Sequence, residues 1–235
     1  MKQSIKHSIK QPMGKSIFYP AALLLALCLG ACASESHRGI AIEQSQAALT
    51  PYYGQRSTIA IGKFDNRSGF LRGIFSDGED RLGSQARTIL ITHLQQTNRF
   101  TVLDRDNMEQ ARQETEIRGD AQELIGASYV VSGDVTEFGR REVSDYQLFG
   151  ILGRGKRQIA YAKVSLNVVD TRTTAVVFST QGAGEYELSD REIVGFGTSA
   201  GYDSTLNGKV LDLPIREAVN GLAAGIDSGS WAPGS

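Results

Sequence analysis

Apolar and polar residues recur along this chain with two different periods, and the change of period divides the sequence into two parts. In the first part, the apolar residues of segment 82–94 recur at the spacing of an amphipathic helix. The other elements predicted there are a strand at 58–64, a turn at 65–69, a strand at 100–103, helices at 107–116 and 121–126, and a strand at 129–131. This alternation of strands and helices predicts a small α/β domain.

In the second part, apolar residues recur with a period of two, which predicts long β-strands. Two long hairpins follow from this pattern, at about 137–168 and 174–203. A strand of about thirteen residues, tilted as in a barrel, rises about 30 Å. The hairpins are therefore long enough to cross the apolar layer of an outer membrane.

The predicted strand at 137–149 departs from this alternation. Arg140 and Glu142 share a face with Phe138 and Tyr146, so a β-bulge would be needed to restore the register. Two long hairpins of a soluble mixed sheet, with one face packed on helices, explain the pattern as well as membrane strands do. Alternation within a single strand is a weak signal, and the pattern alone leaves both interpretations open.

The hairpin at 174–203 has two contrasting faces. One face is apolar or small, and we assign its larger members to lipid: Val176, Phe178, Tyr186, Leu188, Val194, Phe196 and Tyr202. The opposite face is polar and mildly acidic, and we assign it to an aqueous lumen: Ser179, Gln181, Glu185 and Glu187.

Residues 1–31 have the order of a secretory signal peptide. Four lysines and no acidic residue precede a short apolar core, and Leu29, Gly30 and Ala31 lead directly to Cys32. This ending resembles the bacterial lipobox, in which the cysteine is acylated and becomes the first residue of the mature protein. Ala33 follows, and the absence of aspartate there favours export to the outer membrane. Residues 32–56 are polar and small, and are predicted to form a tether between the lipid and the folded domain.

Composition excludes several classes of function. Four of the 25 basic residues and none of the 26 acidic residues lie in the leader, so the mature chain is acidic and offers no basic patch for nucleic acid. Cys32 is the single cysteine of the mature chain, and His37 and His93 are its two histidines. No HExxH motif, nucleophile elbow or phosphate-binding loop occurs. We therefore expect neither an enzyme nor a cofactor other than the covalent lipid on Cys32.

Residues spread over the chain carry a family resemblance. The passages at 89–105, 127–133, 164–170 and 225–231, together with the lipobox cysteine, resemble the curli-secretion channel family. That family comprises CsgG-like outer-membrane lipoproteins and includes a holdfast-anchor branch. The resemblance covers residues 57–231 and leaves 232–235 as a tail, and both predicted hairpins fall where the family has its transmembrane hairpins.

The resemblance implies an oligomeric secretion pore. Each subunit would supply a periplasmic α/β domain and four strands to a shared barrel, and a limit of about 36 strands allows a ring of about nine subunits. Unfolded curli-like or adhesin subunits would diffuse through it to the cell surface, with or without a periplasmic accessory factor. A constriction loop precedes the first long helix in this family, and here it would present Phe70, Phe75 and Asp77.

A binding protein is the competing hypothesis. Related α/β domains occur on outer-membrane lipoproteins that activate or scaffold envelope-assembly enzymes. Such a protein would keep both hairpins folded on its own sheet, and the irregular strand at 137–149 favours this alternative.

Overall fold

The computed structural model describes residues 42–70, 79–146, 154–188 and 204–232, with Glu43–Ser235 forming one compact unit. Its elements are, in chain order, α1 (Gln46–Leu49), β1 (Ser57–Asn66), α2 (Arg81–Gln96), β2 (Phe100–Leu103), α3 (Met108–Arg118), β3 (Tyr129–Tyr146), β4 (Arg154–Asp170), β5 (Val176–Glu187) and α4 (Ser204–Asp227). The leader with Cys32, the loop residues Phe75 and Asp77, and the predicted returning strand with Val194, Phe196 and Tyr202 lie outside the described residues.

The five strands form one mixed sheet in the order β2-β1-β3-β4-β5. β1 runs parallel to both of its neighbours, whereas the pairs β3–β4 and β4–β5 are antiparallel. This arrangement confirms the predicted α/β class. The predicted helix at 121–126 is wrong, because those residues are not helical. The Arg105 guanidinium donates a hydrogen bond to the carbonyl oxygen of Ile125 at 2.6 Å.

Helices α2 and α4 pack against one face of the sheet and enclose the core. Leu82, Ala86, Leu90 and Leu94 of α2 are all buried, which confirms the helical period of that segment. The sheet contributes buried residues from β1, β3 and β4: Ile59, Ile61, Phe64, Val131, Val135, Ala160, Ala162, Val164, Leu166 and Val168. None of the described helices is long and apolar enough to cross a membrane.

A β-bulge at Thr136 corrects the register of β3. Val135 pairs with Val164 and Glu137 with Lys163, so Thr136 is the extra residue. The bulge brings Val131 and Val135 onto the same sheet face as Phe138. It lies upstream of the irregular segment, so Arg140 and Glu142 remain on the face of Phe138, opposite Ala160 and Gln158.

Helix α4 covers the face of β5 that the sequence assigns to lipid. Leu188 is only 6% exposed and belongs to the core, and Tyr186 is partly buried against it. Phe178 stacks on Trp231 with 6.2 Å between ring centroids. In the described chain the side chains of Phe178 and Leu188 therefore pack against their own subunit, and their contact with lipid stays a prediction for an assembled barrel.

Val176 lies on a different face from Phe178. Phe178 pairs with Val168 and Val176 with Val169, so Val177 is an extra residue that reverses the alternation. The face predicted to be common to Val176 and Phe178 is wrong for this reason. Val176 is 58% exposed on the sheet face opposite the helices.

The small residues of β5 allow a close approach of α4. A side chain at Gly182 would overlap the carbonyl oxygen of Pro214 and reach within 2.7 Å of the Ala218 backbone nitrogen. At Gly184 it would lie 2.7 Å from Pro214 Cδ. The alternation of small residues in this strand therefore has a structural cause in helix–sheet packing.

The N-terminal segment contacts the domain from Glu43 onward, within the range 32–56 that the sequence assigns to a tether. Ser45 is fully buried and caps α1 by accepting a hydrogen bond from the Ala48 amide. Glu43 forms an ion pair of 2.5 Å with Arg216, and the Ala47 amide donates to Asn220 Oδ1 at 3.2 Å. These contacts dock the segment on α4.

The turn between β4 and β5 gives a pH-dependent prediction. The Asp170 carboxylate accepts hydrogen bonds from the Thr173 and Arg172 amides at 2.8 and 2.9 Å, and these bonds lower the pKa of Asp170. A carboxyl with a lowered folded-state pKa stabilises the fold above its unfolded pKa, and this stabilisation is lost as the pH falls through the folded value. We expect Asp170→Asn to reduce stability at pH 7 and to flatten the loss of stability between pH 5 and 3. Urea unfolding at several pH values measures this, and parallel curves for both proteins would contradict it.

Candidate functional surface on the open face of the sheet

The sheet face opposite α2 and α4 carries a regular array of polar side chains. Residues directly opposite each other across an antiparallel pair share a face, so the register identifies this array. Ser179 lies opposite Asn167, Gln181 opposite Ser165, and Glu185 opposite Tyr161. All four residues that the sequence assigns to the lumen, Glu187 included, are exposed on this face.

Hydrogen bonds connect the uncharged members of the array across the strands. Ser179 Oγ donates to Asn167 Oδ1 at 2.7 Å, and Gln181 Nε2 donates to Ser165 Oγ at 3.5 Å. Each pair joins β4 to β5 on the solvent side. The result is an ordered, hydrated surface with both donors and acceptors.

Charged pairs continue the array towards the far end of the hairpin. Lys163 Nζ lies 2.6 Å from Glu137 Oε1, and Arg141 is paired with Glu185. Opposite charges therefore alternate across β3, β4 and β5. The expectation of a mildly acidic face was based on β5 alone. The neighbouring strands add Arg141 and Lys163 together with Glu137, so the face is of mixed charge with an excess of one acid.

A groove of about 660 Å³ lies among these charged residues, and Tyr161 is its aromatic member. Gly139 is directly opposite Tyr161, and a Cβ added there would lie 3.1 Å from the tyrosine hydroxyl oxygen. The glycine thus leaves room for the distal end of the tyrosine ring across β3. The Arg141 guanidinium carbon is 5.9 Å from the ring centroid, within the range of a cation–π contact.

Of the residues predicted for a constriction, Phe70 is described, whereas Phe75 and Asp77 lie outside the described residues. Phe70 packs on the core, with its ring centroid 4.7 Å from that of Phe138. The ends of its loop are tied down, because Asn66 Nδ2 donates to the Phe70 carbonyl at 2.8 Å and Asp80 accepts from the Asn66 amide at 2.6 Å.

The array provides hydrogen-bond donors, hydrogen-bond acceptors and charged groups. Among the described residues, no three His, Cys, Asp or Glu side chains are grouped so as to hold a metal ion. Sequence reasoning missed Glu137, Arg141 and Tyr161 as members of this surface. Each of these residues follows the two-residue period of its own strand, which is a signal visible in the sequence. The pairing of the strands and the bulge at Thr136 were needed to place the three side chains on one face.

Comparison with known proteins places the chain in a family. Residues 42–233 match the family described as "Curli production assembly/transport component CsgG". The chain belongs to the CsgG family. It is also 64% identical over 208 residues to "Putative lipoprotein NMB1126/NMB1164" of Neisseria meningitidis serogroup B, covering 88% of this chain and 93% of that protein.

Solved structures similar to this CsgG-family chain are more distant in sequence. The PelC dodecamer from Paraburkholderia phytofirmans is 17% identical, covers 72% of this chain and 91% of its own, and superposes with a TM-score of 0.35. The hypothetical protein CT253 from Chlamydia trachomatis is 15% identical, covers 72% and 97%, and gives a TM-score of 0.44.

Proposed function

We propose that this CsgG-family protein is an outer-membrane lipoprotein, acylated at Cys32, that assembles into a ring-shaped channel for the secretion of unfolded protein subunits. The ring contains about nine copies, each inserting strands into a common barrel. The channel transfers no chemical group. An unfolded chain diffuses through it, and the polar sheet face with Ser179, Gln181, Glu185 and Glu187 continues into the aqueous passage.

The observation that carries this proposal is the length of the β3–β4 hairpin. β1 ends at Asn66, opposite Val135, whereas β3 continues to Tyr146 and pairs there with Arg154. Residues 136–146 extend past the end of β1 by on the order of 35 Å at about 3.3 Å per residue. β5 accompanies the hairpin as far as Glu187, which pairs with Ile159, so only its distal end, where 143–146 pair with 154–157, is two-stranded. A two-stranded end is marginally stable in water, and closure with neighbouring copies into a barrel would stabilise it.

The lipid anchor is supported by two independent observations. The sequence places Cys32 directly after Leu29, Gly30 and Ala31, and the relative from Neisseria meningitidis is described as a lipoprotein. Because the folded unit begins at Glu43, a short linker separates the predicted anchor from the docked segment.

A second candidate function is a periplasm-facing lipoprotein that binds or scaffolds components of envelope assembly. Two observations favour it. Helix α4 covers the face of β5 that a membrane strand would expose, and Arg140 and Glu142 lie on the face of Phe138. In this alternative both hairpins stay folded on the sheet, and the open polar face is the docking surface.

Imaging of the lipidated protein separates the two functions. We expect detergent-extracted full-length protein to form rings with a central hole in negative stain, because the hairpins of single copies need neighbours. Cys32→Ser is the control for the anchor and should lose labelling by a palmitate analogue. Uniform small monomeric particles from properly acylated protein would overturn the channel and support the binding function.

A further inference from the structure

We infer that the groove around Tyr161 binds an extended polypeptide segment of mixed charge. The inference rests on the proposed function and names the contact that a chain in transit makes with each subunit. The groove lies between the ion pairs Lys163–Glu137 and Arg141–Glu185, and its lining also includes Ala162, Gly184 and Leu213 of α4.

Tyr161 is the centre of this site because of the glycine opposite it. Gly139 allows the distal end of the ring to lie across β3, where a larger side chain would displace it. Tyr161 is partly exposed, so its ring adds apolar area to a face that is otherwise polar. Peptide planes, proline rings and aromatic side chains stack on such a surface.

The ion pairs define the chemistry of the ligand. Each pair is exposed on both sides, with 39% and 52% of the Lys163 and Glu137 side chains and 55% and 51% of the Arg141 and Glu185 side chains accessible. Exposed pairs of this kind contribute little to stability, so either partner can rotate to meet a charge of opposite sign on a ligand. A chain that carries both acidic and basic residues can use both pairs, whereas an uncharged ligand would leave the charges unused.

The length of the array matches an extended chain. From Tyr161 to Asn167 the polar positions of β4 alternate with buried ones. At about 3.3 Å per residue this row is about 20 Å long, the length of roughly six extended residues. The amide and hydroxyl groups at Asn167, Ser165 and Gln181 supply hydrogen bonds for a peptide backbone along the same row.

Peptide binding to the lipidated full-length protein tests the site. The probe is a fluorescently labelled, unstructured twelve-residue peptide with tyrosine, glutamine, one lysine and one glutamate, measured by anisotropy. We expect Tyr161→Ala to weaken binding about three- to tenfold, as expected for loss of one aromatic contact. Tyr161→Phe should retain binding, and Arg118→Ala, on the exposed α3, should leave it unchanged.

The outcomes are distinct from those of the ring experiment. Equal peptide affinity for Tyr161→Ala and the native protein, with equal thermal unfolding, would overturn the site even where rings are seen. Binding of the oligosaccharide maltohexaose, without binding of the peptide, would also overturn the inference that the groove binds a polypeptide. Peptide binding that depends on Tyr161 in a monomeric preparation would support the site while the channel itself failed.

Discussion

Replacement of Gly182 by leucine is expected to prevent folding or to lower the free energy of unfolding by at least about 3 kcal/mol. The reason is the close approach of β5 to α4. A Cβ at this position would overlap the Pro214 carbonyl oxygen and reach within 2.9 Å of the Pro214 carbonyl carbon. These are backbone atoms, so rotation of a side chain cannot relieve the contact. Urea unfolding followed by circular dichroism, or recovery of soluble protein, measures the effect.

The neighbouring position supplies a matched control. Ala183 is exposed on the opposite face of the same strand, so Ala183→Leu adds the same side chain without meeting α4. We expect a change within about 0.5 kcal/mol for this control. Similar unfolding curves for the two variants would contradict the packing of β5 under α4. They would favour contact with lipid as the reason for the small residues of this strand.

Removal of the Asp227 carboxylate is expected to cost about 3 kcal/mol of stability. Arg99 is 1% exposed, and its guanidinium donates to both Asp227 oxygens, at 3.1 and 2.7 Å. The same group donates to the Ala47 and Thr97 carbonyls at 2.9 and 3.1 Å, so it joins the N-terminal segment, the start of β2 and the end of α4. Asp227→Ala would leave a buried cation with only neutral acceptors. At about 2–4 °C per kcal/mol for a domain of this size, the midpoint of thermal unfolding should fall by about 10 °C.

Two further variants show whether burial is the cause. Glu109→Ala removes one of the two carboxylates that pair with Arg112 on the exposed α3, and is expected to change stability far less than Asp227→Ala, because exposed ion pairs contribute little. The double variant Arg99→Met with Asp227→Ala removes the buried charge together with its partner, and should be more stable than Asp227→Ala alone. An equal loss for Asp227→Ala and Glu109→Ala would show that Arg99 does not depend on its carboxylate.

Local patterns were sufficient for β1, α2, β2 and α3 in the first half of the chain. The helical spacing of Leu82, Ala86, Leu90 and Leu94 predicted α2 within two residues at each end, and β2 was predicted at its observed bounds. These segments have a clear hydrophobic period, and each period corresponds to one type of element, a helix or a strand. The segment at 121–126 lacked that property, and its backbone follows tertiary contacts such as that of Arg105.

Helix α4 was not predicted although it is the longest helix described. Leu211, Ile215, Val219 and Leu222 recur at helical spacing and are buried. Pro214 and the glycines at 208 and 221 lower the helix propensity of the segment, so the helical period alone did not lead to a helix prediction. In the folded chain the interrupting residues have a packing role, since Pro214 lies against Gly182 and Gly221 against Thr180.

The sequence by itself determined the α/β class, the approximate positions of β3, β4 and β5, the alternation of polar and apolar residues along β5, and the resemblance to the CsgG family. It could not determine what covers the apolar face, because alternation reports burial and is the same for a helix as for lipid. Only the tertiary structure decided that α4 lies there, that single-residue bulges at Thr136 and Val177 reassign faces, and that Arg141 pairs with Glu185 and Lys163 with Glu137. Each of these depends on which strand lies beside which and in what register, and a one-residue shift moves every side chain to the other face.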